Sequence, residues 1–257
     1  QVERIVGLFP EDIREREYHE PFIGGGAVFF HSEPGSGSIN DINPKLMNFY
    51  RVVRDDPKAL IEEASKYRYE EGEYYELRSR YNSPGLSEVE YAAILLYLNK
   101  TAYNGLYRVN SKGEFNIPFG RHVDTTIVKP RSIMRASRIL GDIEIRCGGY
   151  DYVLEVAEEG SLCYLDPPYH PASVTANFTD YTVEGFNVGD QERLRDLCLG
   201  LDRRGVIFVL SNSHTEKVME LYRGNGFRME SLKTRRSISS KVSSRDSGYD
   251  LLISNSA

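Results

Sequence analysis

Apolar positions along this chain of 257 residues alternate between two textures: short runs rich in β-branched and aromatic residues, and longer stretches with apolar residues three or four apart. Gln1 to Phe9 reads as a helix stopped by Pro10. Tyr18 to Ile23 reads as a strand running into Gly24-Gly25-Gly26, and Ala27 to Phe30 begins a helix directly after it. A brief strand, Ser38 to Asn40, ends at Asp41, and Pro44 suits the first turn of a helix over Lys45 to Arg54. Pro57 to Asn99 is mainly helical in pattern, broken at Ser83-Pro84-Gly85. Between Tyr103 and Arg121 the period becomes strand-like around Ser111-Lys112-Gly113, which predicts a hairpin. The alternation then resumes: helices are expected at Pro130 to Leu140, Tyr150 to Glu158, Gly189 to Asp202 and Thr215 to Gly224. Between and after them, strands are expected at Ile143 to Cys147, Ser161 to Leu165, Val206 to Ser211, Phe227 to Leu232 and Asp250 to Ser254.

This order predicts an open α/β sheet, formed by residues 1–43 and 130–257, with residues 44–129 inserted as a helical and hairpin domain. In such sheets ligands bind outside the carboxyl ends of the strands. Both the glycine turn at Gly24 and the loop that begins at Asp166 fall there.

Composition narrows the setting. No apolar run approaches the roughly 20 residues needed for a membrane-spanning helix, so no membrane role is expected. Three isolated cysteines, Cys147, Cys163 and Cys198, lack metal-ligand spacing and read as buried small hydrophobes, in keeping with a reducing cytoplasm and no metal. The net charge of −6 argues against a nucleic-acid partner until its distribution is considered. Lys100 to Arg138 holds eight Lys or Arg against Glu114 and Asp124, and Arg228 to Arg245 holds six against Glu230, which leaves −17 for the remainder. Two basic stretches on an acidic body can form a directed positive surface or a merely solvated one.

The chemistry concentrates in Asp166-Pro167-Pro168-Tyr169, directly after the apolar run Leu162 to Leu165. A carboxylate, carbonyls beside prolines that lack N–H groups, and an adjacent ring can grip a planar group bearing an NH2, although Pro-Pro also ends strands and Asp also starts turns. In Glu20-Pro21-Phe22-Ile23-Gly24-Gly25-Gly26 the glycines let backbone approach a ligand and Phe22 offers an apolar wall. Asp41, at the end of the next strand, can accept both hydroxyls of a ribose. Phe29 stands where a pyrophosphate-binding turn would carry its last glycine, so a nucleoside such as S-adenosylmethionine fits better than a dinucleotide.

Several of these segments, in this order, resemble the Dam-type DNA adenine methyltransferases. The resemblance is carried by Phe-x-Gly-Gly-Gly at 22–26, by Ile39 to Asn43, by Asn104-Gly105-Leu106-Tyr107-Arg108-Val109-Asn110, by Phe115 to Arg121, and by the Asp-Pro-Pro-Tyr loop. It extends to Thr175 to Thr179, Leu210-Ser211-Asn212 and Arg235 to Ser240. The resemblance implies a Rossmann-like S-adenosylmethionine methyltransferase fold with an inserted recognition domain. It further implies methyl transfer to the amino nitrogen of an adenine flipped from double-stranded DNA, most often within GATC, with S-adenosylhomocysteine as product. Asp166, Pro167 and Tyr169 would act on the base, while Phe22, Gly24, Gly26, Asp41, Tyr150 and Asp166 would hold the cofactor.

In the inserted domain the same resemblance points to Tyr103, Asn104, Leu106, Arg108, Asn110, Pro118, Arg121 and His122 as DNA contacts, with Arg108 able to donate twice to a guanine edge. Arg235 and Arg236 would hold phosphates. The context it implies is bacterial or phage methylation, with a cognate restriction endonuclease as a further partner. Three departures stand out. The chain begins just downstream of the family's Trp-x-Gly-Gly-Lys stretch, His122 replaces a frequent Tyr, and Gly149-Tyr150 replaces an acidic-aromatic pair. A catalytically impaired DNA-binding module, or an amino methyltransferase acting on RNA or protein, remains an alternative at this level.

Overall fold

A computed structural model of the chain describes residues 1–122, 125–168, 186–235 and 247–256, with the side chains of 234, 235 and 247 outside that description. The chain is mixed α/β with a seven-stranded sheet, consistent with a Rossmann-like methyltransferase fold. Its strands are β1 (Glu17–Glu20), β2 (Ser36–Asp41), β3 (Ile143–Cys147), β4 (Leu162–Leu165), β5 (Ile207–Ser213), β6 (Arg228–Arg235) and β7 (Ser247–Ser254). The helices are α1 (Val2–Val6), α2 (Ala27–Ser32), α3 (Pro44–Asp55), α4 (Pro57–Ala64), α5 (Glu71–Tyr81), α6 (Glu88–Thr101), α7 (Pro130–Ile139), α8 (Val153–Val156), α9 (Val188–Arg203) and α10 (Glu216–Tyr222). The chain divides into two compact units, one of residues 1–40, 149–168 and 186–256, the other of Asp41–Gly148, among those described.

In the first unit the strands lie in the order β2-β1-β4-β5-β7-β6. β1 pairs in parallel with β2 and β4, and β4 with β5, whereas β7 runs antiparallel between β5 and β6. The central strand β4 is buried along its whole length, which explains its unbroken apolar sequence: a parallel strand covered on both faces has no solvent side to fill. Cys163 and Leu165 pack with Phe208, Leu210, Leu251 and Ile253 beneath Val153, Leu194, Cys198, Leu201 and Tyr222. Tyr164, on the alternate face, meets Phe9 at 6.0 Å, and Tyr18 meets both Phe9 and Phe29 at 6.2 Å between ring centres.

The second unit packs α3, α4 and α5 against α6, with Tyr74, Tyr81 and Tyr97 fully buried. Two of these hydroxyls bond to backbone: Tyr74 donates to the Ile117 carbonyl at 2.9 Å and Tyr97 to that of Arg68 at 2.9 Å. Three helices start with proline at the first turn, at Pro44, Pro57 and Pro130, and α6 starts with a reciprocal Ser87–Glu90 capping box. α3 also carries α7 and β3: Ser137 Oγ donates to the Arg54 carbonyl, and Arg54 Nη1 donates to that of Ile143.

Some expectations shift. The helical stretch from Pro57 to Asn99 is three helices, with an additional break at 65–70 where charged and aromatic residues alternate without an apolar face. Tyr150 to Glu158 is a 3-10 turn at Tyr150–Tyr152 followed by the short α8. Cys163 and Cys198 are buried, but Cys147 is exposed because it is the last residue of β3, at the strand's open end. Among the described residues no helix is long and apolar enough to cross a membrane.

Candidate functional site

β1, β4 and β5 are parallel, so their carboxyl ends share one edge of the first unit. The glycine loop leaves that edge after β1. Gly24 and Gly26 take left-handed backbone, φ 45° and 66°, and Gly26 is the N-cap of α2. The turn is tied by Gly26 N–H to the Ile23 carbonyl at 2.7 Å and by Ile23 N–H to the Asn40 carbonyl at 2.9 Å, while the buried Asn40 side chain donates to the Pro21 carbonyl at 3.0 Å. A Cβ built on Gly24 or Gly25 would meet open space, not protein. Here the glycines leave a clear volume above the loop instead of relieving a packing clash.

Beside the loop stand three rings. Phe22 and Tyr150 lie 4.9 Å apart, tilted by 33°, and Phe186 meets Phe22 edge-on at 6.3 Å and Tyr150 at 6.3 Å. Such a half-buried aromatic corner with an open glycine loop fits a flat heterocycle on a polar tail. Arg193, from α9, donates to the Tyr150 hydroxyl and also pairs with Asp190, while burial pushes the Tyr150 phenol up in pKa. Neither Phe186 nor Arg193 was foreseen. The available signal was the position of Phe186 one residue before the N-cap Asn187, whose capping box with Asp190 starts α9.

Asp166 is exposed at the end of the buried β4, followed by buried Pro167 and half-buried Pro168. Close to it lies Glu20, the last residue of β1, only 2% exposed. The Tyr18 hydroxyl donates to Glu20 at 2.5 Å, and the Phe29 N–H in the first turn of α2 donates to it as well. Burial holds the Glu20 carboxyl well above the usual carboxylate range, and the negative charge of Asp166 adds to that shift. Glu20 thereby ties β1 to α2 across the glycine loop. One strand over, at the end of β5, Asn212 is fully buried, accepts from Ser213 N–H at 2.8 Å and donates to Gln191 at 2.9 Å. Tyr169, Arg236 and the 175–179 segment lie outside the described residues.

In the second unit, Asp41 is buried, one carboxylate oxygen accepting the Asn43 N–H at 2.9 Å. The predicted hairpin exists as an antiparallel bridge of Val109 with Phe115 and another of Ala102 with Phe119. Tyr103 (50% exposed), Asn104, Arg108 and Pro118 are exposed, Leu106 is half-buried, and Asn104 and Gly105 take left-handed backbone at φ 54° and 61°. These residues occupy one hairpin base and its first arm. Asn110 instead builds the turn, accepting from the Lys112 and Glu114 N–H groups and donating to the Glu114 carboxylate. Arg121 pairs with Glu71 at 3.4 Å in solvent, and the His122 ring engages the Ala102 carbonyl at 2.9 Å.

Back in the first unit, β6 and β7 continue past the last β5–β7 pair, Ser213 with Asp250. Three further rungs follow: Lys233 with Tyr249, Thr234 with Gly248, and Arg235 with Ser247. The ribbon overhangs the edge that carries Asp166, with Lys233 exposed on it.

Comparison with known proteins adds an independent line. Residues 1–238 match a family described as D12 class N6 adenine-specific DNA methyltransferase. The chain is 40% identical over 255 residues to the type II methyltransferase M1.LlaDCHI of Lactococcus lactis subsp. cremoris, covering 96% of this chain and 88% of that protein. It is 40% identical over 266 residues to the type II methyltransferase M.MjaIII of Methanocaldococcus jannaschii, covering 96% and 91%. A DNA adenine methylase of Vibrio cholerae is 34% identical over 256 residues, covering 98% and 90%.

Proposed function

The chain belongs to the D12 class of N6 adenine-specific DNA methyltransferases, and on that premise we propose that it methylates an adenine turned out of double-stranded DNA within the sequence GATC. Methyltransferases of this family use S-adenosylmethionine, which supplies an electrophilic methyl group. The observation that carries the reading is the exposed carboxylate of Asp166 at the end of a strand buried on both faces.

The residues present fit the cofactor: Phe22, Tyr150 and Phe186 take its adenine, and the open space over Gly24 and Gly25 admits its amino-acid end. Asp41 is the acceptor the sequence puts forward for the ribose. The amino lone pair of adenine is delocalised into its ring, so the amine is a weak nucleophile until its hydrogens are drawn out of that plane. Asp166 and the Pro167 carbonyl accept those two hydrogens, favouring a pyramidal nitrogen whose lone pair points at the methyl group. The raised pKa of buried Glu20 beside Asp166 disfavours a second negative charge at the same edge. Tyr169 is the ring the sequence offers to the flipped base, a stack worth ~1–3 kcal/mol.

Arg108 reads guanine through a two-nitrogen fork, and Tyr103, Asn104, Leu106 and Pro118 surround the vacated position. Lys233 and Arg235 on the overhanging ribbon hold phosphates, fixing position without reading sequence. The family description and the name of the Vibrio cholerae relative specify DNA, which gives the RNA and protein alternatives no support. The setting is the cytoplasm of a prokaryotic or phage-infected cell, with a restriction endonuclease of matching specificity as the partner suggested by the type II relatives.

The test is incorporation of labelled methyl from S-adenosylmethionine into duplexes that differ only in GATC versus GTTC. Label in the first alone is expected, with Asp166→Ala lowering the rate by about 10²–10³-fold or more while DNA affinity persists. Equal labelling of both duplexes overturns the GATC assignment, and a fully active Asp166→Ala variant overturns the role of that carboxylate.

A further inference from the structure

The hairpin of the second unit is held asymmetrically. Its second arm is bonded to the helices: the Ile117 carbonyl accepts from the Tyr74 hydroxyl at 2.9 Å and from Arg78 Nη1 at 3.0 Å, and Gly120 N–H donates to the Thr101 carbonyl at 2.8 Å. Its first arm, carrying Arg108, meets the second at Asn116. The Asn116 N–H donates to the Arg108 carbonyl at 3.2 Å, and Asn116 Oδ1 accepts from Arg108 Nε at 3.1 Å.

Phe115 directly precedes Asn116, and Asn82 grips it. From the C-cap of α5, Asn82 Nδ2 donates to the Phe115 carbonyl at 2.9 Å while Asn82 Oδ1 accepts from the Phe115 N–H at 2.9 Å. A side-chain amide is the group that can do both, so Asn82 supplies the pair of bonds that a neighbouring strand residue would make. The Phe115 ring is buried between Tyr81 at 6.2 Å and Tyr107 at 5.5 Å. Both peptide planes around Phe115 are therefore fixed one residue before Asn116, which blocks twisting or sliding of the arm there.

We propose that Asn82 is a positioning residue for sequence discrimination, holding Phe115 and Asn116 so that Arg108 has its Nε engaged and offers its two terminal nitrogens as a fork for a guanine edge. The proposal rests on the reading of Arg108 as the guanine contact. Asn82 itself meets protein backbone, and its effect reaches DNA through the hairpin. Asp at this position keeps the acceptor for Phe115 N–H but loses the donor and sets a carboxylate against the Phe115 carbonyl, so it breaks the grip with almost no change in volume.

The experiment compares kcat and KM of the full chain, Asn82→Ala, Asn82→Asp, Arg108→Ala and Asn82→Ala/Arg108→Ala. The substrates are the duplex methylated best by the wild type and the set of duplexes with each base pair of that site replaced in turn, and thermal melts identify which variants are folded. The Asn82 variants are expected to keep kcat on the best duplex within roughly threefold. They are expected to lose roughly tenfold or more of the discrimination at one base pair, the pair at which Arg108→Ala loses it. The double variant should lose no more than Arg108→Ala, because the two act on one contact.

Discrimination unchanged in a folded Asn82 variant overturns the proposal, as does an equal fall in kcat/KM on every duplex, the signature of a merely structural residue. If Arg108→Ala leaves discrimination intact while the Asn82 variants lower it, the guanine reading of Arg108 falls and Asn82 stands as the positioning residue for another side chain of that arm.

Discussion

At the scale of single residues, the motifs that could be read from sequence are those in which chemistry and backbone need coincide. Gly24 and Gly26 take left-handed conformations, Pro44 begins a helix, and Asp166 follows a strand with no solvent face. Glu20 was visible only as part of a string, because nothing in its neighbours shows that folding will seal it between Tyr18 and the first turn of α2. Its buried carboxyl holds a proton more firmly folded than unfolded, so the stability it contributes is complete below the ordinary glutamate range and is lost as pH rises through the raised value. Glu20→Gln keeps the shape and removes the titration. The variant should gain on the wild type as pH is raised above the ordinary glutamate range, by up to about 1.4 kcal/mol per pH unit until the raised value is passed. Urea unfolding at several pH values measures this, and a stability difference that ignores pH would refute it.

Elements were legible where burial imposed a period. β4, β5 and α9 appear within a few residues of expectation because their apolar positions face a core. The ends of β6 and β7 were not legible: Lys233–Arg235 and Ser247–Tyr249 pair beyond the last rung of β5 and carry no apolar alternation to betray it. The same is true of the hairpin grip, since Asn82 and Phe115 are 33 residues apart in the chain. The overhanging ribbon makes a prediction of its own. Lys233→Glu should weaken DNA binding uniformly across sequences and reduce the slope of log affinity against log salt by about 1, leaving base discrimination in place. Affinity titrations on cognate and altered duplexes over a range of salt would show it, and a variant that binds as the wild type does at every salt concentration would remove Lys233 from the phosphate contacts.

Over the whole molecule, the alternation of strand and helix was readable from sequence, and so was the unevenness of charge on a chain of net −6. What sequence could not convey is how much of the site rests on one strand. β4 is hydrogen-bonded to β1 on one side and β5 on the other, and both its faces are covered. Its amides can meet solvent only when the first unit opens as a body, so their hydrogen exchange should proceed at the free energy of global unfolding. Heating should then abolish methyl transfer at the unfolding transition itself, with no lower-temperature loss from the strand that carries Asp166, as parallel activity and circular dichroism melts would show. An activity loss well below the unfolding midpoint, accompanied by early exchange at Cys163 or Leu165, would contradict this. In kinetic terms, the burial of β4 couples the working lifetime of Asp166 to the unfolding rate of the first unit, so substitutions that slow global unfolding extend the life of the activity even when they lie far from the site.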